Sequence, residues 1–220
     1  MIVAIDGPAG AGKSSVARAV AARIGAGYLD TGAMYRALTW LALRRSHDLD
    51  DAEALAALAR RYPSRLAPGA DGVTVEIAGT DVTAEIRQAD VTAEVSRVSA
   101  HASVREAIVA LQQELIEQGD WVADGRDIGT VVAPAAEVKI FMTASVEERA
   151  RRRRLDLEHA GDAVGHDEMV REIARRDAID SDREASPLTV ADGALVIDTS
   201  EMTERQVVDA VERIVEAARV

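Results

Sequence analysis

One segment constrains this chain more than any other: Gly7-Pro8-Ala9-Gly10-Ala11-Gly12-Lys13-Ser14-Ser15, which fits G-x-x-x-x-G-K-[ST]. It follows Ile2–Asp6, a short apolar run that reads as a buried strand. It precedes Ser14–Ile24, where Val16, Val20 and Ile24 share one helical face and Gly25 supplies a stop. Glycines let backbone N–H groups curl around phosphate oxygens, and a helix starting there points its positive end at the anion. Lys13 is expected to reach the β- and γ-phosphates of a nucleotide, and the Ser14 hydroxyl to hold Mg²⁺. The bland alternative is a plain glycine-rich turn. The strand before it and the helix after it favour nucleotide binding.

Strand–helix alternation continues along the chain. Tyr28–Asp30, Trp121–Asp124, Val138–Met142 and Ala194–Asp198 read as further short strands, and Gly32–Arg45 as a helix. Val104–Gln118 is the clearest helix: Ser103 and Glu106 form a capping box, Val104, Ile108, Leu111 and Leu115 share a face, and Gly119 ends it. Ser145 and Glu148 open a strongly charged helix ending near Gly161, and Thr203 with Gln206 caps a last one carrying Val207, Val208, Val211, Ile214 and Val215. The expected fold is α/β, a mainly parallel five-stranded sheet flanked by helices on both faces. From about residue 63 to 90 the pattern changes. Val73, Val75 and Ile77 alternate with Thr74 and Glu76, a period of two that predicts a small antiparallel β insertion.

Composition narrows the chemistry. The chain has no cysteine, which removes thiol nucleophiles, disulfides and thiolate metal sites. Its net charge of −12 repels bulk nucleic acid and anionic membranes, so phosphate-binding cations must be gathered at a site. Asparagine is missing as well. That excludes the Asn-Lys-x-Asp segment with which GTPase switches read guanine, and the metal-holding Asn of eukaryotic-type protein kinases. No signal-peptide pattern and no apolar run approaching ~20 residues is present, so a cytoplasmic location without a membrane partner is expected. A small-molecule kinase is favoured over an ATP-driven machine, since 220 residues without a repeat leave no extended partner surface.

Basic residues recur where an acceptor would face the glycine loop. Arg36 is one, and Arg126 lies in Asp124-Gly125-Arg126-Asp127, at the C-terminal end of a predicted strand. Arg176, Asp180 and Arg183 are spaced to share one helical face, and the charged helix adds Arg149 and Arg151–Arg154. Each has a plainer reading: a solvated charge, or for Arg176–Asp180 an ordinary helix pair worth ~0.3–0.5 kcal/mol. RNA binding by the arginine run is disfavoured by the net charge and by an aromatic content of 3%. The thin apolar face of that helix suits a mobile arm. Asp6, Asp30, Asp124 and Asp127 fall at strand ends, where one contacts Mg²⁺ and others orient arginines. Capping of a following helix is the alternative, for Asp30 an equal one. The four histidines lack metal spacing.

Gly7–Ser15, Leu29–Arg36, Ala84–Arg87, Val104–Glu106, Ala123–Thr130 and Arg175–Asp177 together resemble the bacterial cytidylate kinases in order and spacing, across nearly the whole chain. The resemblance implies a P-loop kinase core over 1–62 and 96–220, a monophosphate-binding insertion over 63–95, and an arginine-rich lid over about 149–166. It implies that Gly7 to Ser15 bind ATP, that Arg36, Arg126 and Arg183 clamp the acceptor phosphate, and that Ser96, Arg105 and Asp127 read cytosine. Asp180 with Arg176 would hold the sugar hydroxyls, Arg149 and Arg153 would approach the ATP phosphates, and Asp30, Thr31, Tyr35, Asp124 and Gly125 would border the substrate. The implied reaction is Mg²⁺-dependent transfer from ATP to CMP and dCMP by a monomer, with Lys13, Arg126, Arg183, Arg149 and Arg153 supporting the chemistry. A monophosphate with a second pKa near ~6 is already a nucleophilic anion at neutral pH, so no general base is required. The rivals are a kinase for UMP or a metabolite hydroxyl, and a P-loop ATPase that regulates a partner.

Overall fold

β1 (Ile2–Asp6) is the middle strand of a five-stranded parallel sheet in the computed structural model, which describes residues 1–69, 72–159 and 164–219. With β2 (Gly27–Asp30), β6 (Trp121–Gly125), β7 (Val138–Thr143) and β8 (Leu195–Asp198), the order across the sheet is β2-β6-β1-β7-β8. Every pairing in it is parallel, with Ile5 opposite Asp124 and Asp6 opposite both Gly125 and Phe141. Both faces are covered, and side chains alternate between them along each strand. Val3, Ile5 and Val122 bury against α1 (Lys13–Ile24) and α8 (Glu204–Ala218); Ala4, Leu29 and Ala123 bury against α2 (Thr31–Arg44) and α5 (Ala102–Ile116).

Several elements were legible in outline. Gly25 ends α1 in the left-handed conformation, and Thr203 and Gln206 form the expected reciprocal capping box of α8. Asp30 turns out to cap α2, accepting from the Ala33 amide at 2.9 Å. The capping box expected at Ser103 and Glu106 does not form. α5 begins at Ala102, with His101 at its N-cap making no side-chain capping bond, because the preceding helix, α4 (Ala89–Ala100), runs almost directly into it. Ser103 is therefore already inside the first turn, and its hydroxyl donates to the Ala52 carbonyl of α3 (Ala52–Arg61) at 3.1 Å.

The antiparallel insertion is present as β3 (Arg65–Gly69), β4 (Gly72–Ile77) and β5 (Thr80–Asp81). Its alternation serves the main core: Val75 and Ile77 bury in the same apolar cluster as Leu38 and Leu55. A 3₁₀ turn, Glu85–Arg87, then leads into α4. The charged helix is α6 (Val146–His159); the expected stop at Gly161 lies outside the described residues. Its thin apolar face is enough to pack on α7 (His166–Asp182), through Ala150 against Met169 and Ile173. Among the described residues, no helix is long and apolar enough to cross a membrane.

Candidate active site

The chain leaves β1 toward the α1 face of the sheet and leaves β6 toward the opposite face, so a crevice opens between the C-terminal ends of these neighbours. The glycine loop occupies it. Gly7 has φ 145°, and a Cβ there would stand 1.9 Å from the Met142 carbonyl oxygen, so no other residue fits. Gly12, left-handed, caps α1 without a side chain, which leaves the first helical amides turned to the loop. Gly7 and Pro8 shape the turn from behind, while Ala9 to Ser15 line a cleft of about 1260 Å³. Lys13 Nζ donates to the Pro8 carbonyl at 2.8 Å; burial, then the nearby Arg126 charge, pull its pKa down to about 7.

Next to Lys13, the Ser14 hydroxyl donates to Asp124 Oδ2 at 2.7 Å and the Tyr28 hydroxyl to Asp124 Oδ1 at 3.0 Å. Burial, followed by the charge of Asp30, raises the Asp124 carboxyl to about 6. A hydroxyl and a carboxylate at the mouth of a phosphate cradle are hard oxygen donors of the kind Mg²⁺ takes. No group of three or more acidic or histidine side chains suited to a metal occurs among the described residues. The donor set therefore fits an ion held largely by nucleotide phosphates.

The far end of the cleft gathers residues distant in the chain. Arg126 Nε donates to Asp180 Oδ2 at 2.8 Å, and Arg183 Nη1 lies 3.5 Å from Asp180 Oδ1. The ordinary Arg176–Asp180 helix pair, the plainer reading of that spacing, is not formed among the described residues, where Arg176 Nε is buried without a hydrogen-bond partner. Arg36 donates to the Ile86 carbonyl at 3.2 Å and to the Thr92 hydroxyl at 2.9 Å. Burial, then repulsion from Arg176 and Arg153, bring its pKa to about 10. Arg36, Arg176 and Arg183, made less basic first by burial and then by neighbouring guanidinium groups, form a site suited to an anion.

Deeper in, Arg105 forms a buried ion pair with Asp127, donates to the Ser99 carbonyl at 3.2 Å and lies 5.2 Å over the Tyr35 ring. Ser96 is buried beside them on α4, at the cleft wall. Among the described residues, Tyr35 Oη, Arg105 Nε and Arg183 Nη2 have no hydrogen-bond partner. Buried polar atoms left open in one recess are groups for a ligand to satisfy. Thr31 donates to the Asp124 carbonyl at 2.7 Å, and Gly125 has no room for a Cβ, which would meet Ile128 at 2.6 Å.

Each residue that the resemblance assigns to the acceptor borders this one cleft, as does Arg153, whereas Asp6 and Arg154 do not line it. Arg149 differs. It is 4% exposed and behind the loop, with Nε on the Ala144 carbonyl at 3.0 Å, Nη1 on the Ala9 carbonyl at 3.1 Å, and a two-pronged pair with Asp177 at 3.0 and 2.7 Å. Its donors are committed to protein. Three features went unread in the sequence. Arg152 reaches across to the Thr199 hydroxyl and carbonyl at 3.0 and 2.5 Å, close to Gly12. Residues 199–204 wall the donor end, and Tyr28 holds Asp124. The rule that ligands sit at the carboxyl ends of strands points to Thr199, just past β8; nothing local set Arg152 apart from its neighbours in the arginine run, and nothing local marked Tyr28.

A family model described as cytidylate kinase matches residues 3–217. Cytidylate kinases of Bacillus pumilus and Bacillus subtilis are each 50% identical to the chain, over 216 and 214 residues. The first match covers 96% of both proteins, the second 97% of this chain and 96% of the relative. A crystal structure of shikimate kinase from Bacteroides thetaiotaomicron shares the fold at a TM-score of 0.51 and 14% identity, covering 100% of this chain and 99% of its own.

Proposed function

The chain belongs to the cytidylate kinase family, and on that premise we propose that it transfers the γ-phosphoryl group of ATP to CMP and dCMP with Mg²⁺ as cofactor. The observation that carries the site assignment is convergence: Lys13, Arg36, Arg126, Arg153, Arg176 and Arg183 face one cleft in a chain whose net charge is −12.

The reaction needs two polyanions held within reach, with charge stabilised on the group that moves between them. The loop amides and Lys13 hold the donor phosphates; an anion beside Lys13 restores the charge that burial weakens. Ser14 and Asp124 would hold Mg²⁺, which when bound neutralises part of the donor charge. Arg36, Arg126 and Arg183 clamp the acceptor phosphate, with Asp180 orienting the last two. An acceptor phosphate oxygen attacks the γ-phosphorus as its bond to the β-bridging oxygen breaks, and ADP leaves. Arg153, which makes no hydrogen bond or ion pair among the described residues, is free to follow the charge during transfer.

Cytosine offers a ring carbonyl, a ring nitrogen and an exocyclic amine. Arg105 supplies donors to the first two, and Asp127 and Ser96 acceptors to the third. Asp180 and Arg176 border the sugar. Arg149 acts from behind, fixing the Ala9 carbonyl of the loop. The insertion over 63–95 and the lid over about 149–166 close on the substrates and exclude water. The cleft is assembled within one chain, which supports a monomer, and its nucleotide substrates support work in the cytoplasm.

Steady-state rates with ATP and Mg²⁺ against CMP, dCMP, UMP and AMP test this reading. Turnover is expected with CMP and dCMP, with almost no ATP hydrolysis in the absence of an acceptor. Preference for UMP or AMP overturns the cytosine assignment, and acceptor-independent hydrolysis favours a regulatory ATPase.

A further inference from the structure

Asp6 is the last residue of β1, and the mechanism makes no use of it. It is 3% exposed, and both carboxylate oxygens are spoken for: Oδ1 accepts from the Ile128 amide at 2.8 Å and Oδ2 from the Gly129 amide at 2.7 Å. These are the first amides of a π-helical turn, Ile128–Val132, that follows the acceptor loop. Turns of this kind are uncommon and cluster at functional sites. Inside this one, the Asp127 carbonyl accepts from the amides of Val131 and Val132, at 2.9 and 3.1 Å.

The N-terminus of a helical turn leaves amides without partners, and the residue just before it normally accepts from them. Here that residue is Asp127, and its side chain makes no such bond; its carboxylate pairs with Arg105 in the acceptor recess instead. Asp6 caps the turn in its place, across 122 positions of sequence. The residue after Asp6 is Gly7, the start of the phosphate cradle, and the residue before Asp127 is Arg126.

We propose that Asp6 is a positioning residue which, by capping the 128–132 turn from the strand that carries the glycine loop, releases the Asp127 carboxylate to the acceptor recess and fixes Arg126 and Asp127 relative to the donor cradle. A carboxylate with two amides in its fork holds the acceptor loop at a set distance from the loop that carries the donor phosphates. Transfer between two bound nucleotides depends on that distance. The inference rests on the acceptor recess being where the monophosphate binds.

Asp6→Asn is the test, since it keeps the shape but turns an NH₂ toward one of the two amides. Hydrogen exchange in a peptide spanning 126–133 is expected to speed up about tenfold, with the loop peptide 7–14 unchanged. The KM for CMP is expected to rise at least about fivefold while the KM for ATP stays within about twofold, and the CMP-over-UMP preference to fall. A wild-type KM for CMP, or equal rises in both KM values with uniform loss of protection, overturns the proposal. Should Asp6→Asn fail to fold, Gly129→Ala presses on the same contact without a charge change, because its Cβ would lie 3.3 Å from Asp6 Oδ2, as well as 3.1 Å from Ala191 Cβ. The same CMP-selective pattern is expected from it. Wild-type turnover of CMP checks the functional reading separately, so a variant that keeps its CMP KM removes the role of Asp6 and leaves that reading standing.

Discussion

Replacing Arg149 with alanine separates two roles that a lid arginine can play. The side chain makes four hydrogen bonds, two to Asp177 and one each to the carbonyls of Ala9 and Ala144, and joins α6, α7 and the glycine loop. Removing one partner of a buried ion pair costs ~3–5 kcal/mol, because the other charge is left uncompensated. The Asp177 side chain retains 23% exposure, so water recovers part of that, and about 3 kcal/mol is expected for Arg149→Ala. At roughly 2–4 °C per kcal/mol for a chain of this size, the nucleotide-free protein should melt about 6–12 °C lower. Arg149→Lys keeps the charge but loses the fork, and should fall about half as far. Thermal denaturation without nucleotide is the assay, since any contribution from ATP contact is then absent. A melting temperature within about 2 °C of wild type, together with a collapse in kcat, would refute this reasoning and return Arg149 to the donor phosphates.

Three further outcomes are expected. Lys13 has its pKa lowered to about 7 in the free protein and regains full charge beside a polyphosphate, so ATP binding should take up protons above pH 7 and weaken as pH rises. Net proton uptake at pH 8 is read by calorimetry in buffers of different ionisation enthalpy, and zero uptake contradicts it. Asp127→Asn should cut the ratio of kcat/KM for CMP over UMP about tenfold or more, by removing the acceptor for the exocyclic amine; an unchanged ratio removes Asp127 from base reading. Tyr28→Phe takes a donor from Asp124 and should raise the Mg²⁺ needed for half-maximal rate about tenfold at an unchanged KM for CMP, whereas a rise in CMP KM alone points elsewhere.

Donor chemistry was written locally, and acceptor chemistry was not. Gly7 to Ser14 form a continuous segment whose glycine spacing, lysine and hydroxyl specify a phosphate cradle almost independently of the remaining chain. The acceptor arginines, by contrast, are scattered at 36, 126, 176 and 183, and even the shared helical face of Arg176, Asp180 and Arg183 does not by itself distinguish them from solvated charges. Their order along the chain resembled a family; the meeting of Arg126 with Arg183 at Asp180 exists only once the end of β6 and α7 are brought together by the fold. The capping box misread at Ser103 has the same origin. A local signal is valid only if the helix begins where the pattern says, and the close approach of α4 moved that start.

From its residues alone this protein was bound to form a buried parallel sheet, a nucleotide-phosphate loop and a small antiparallel hairpin, because period, glycine placement and charge act over a few neighbouring residues. Which guanidinium groups face the cleft and which brace it was decided only in three dimensions. Arg149 and Arg153 lie one helical turn apart on the same charged helix, yet one is sealed against Asp177 and the Ala9 carbonyl while the other makes no hydrogen bond or ion pair among the described residues. Burial and pairing across the sheet depend on strands that meet only after the chain has folded, so the functional difference between identical side chains resides there.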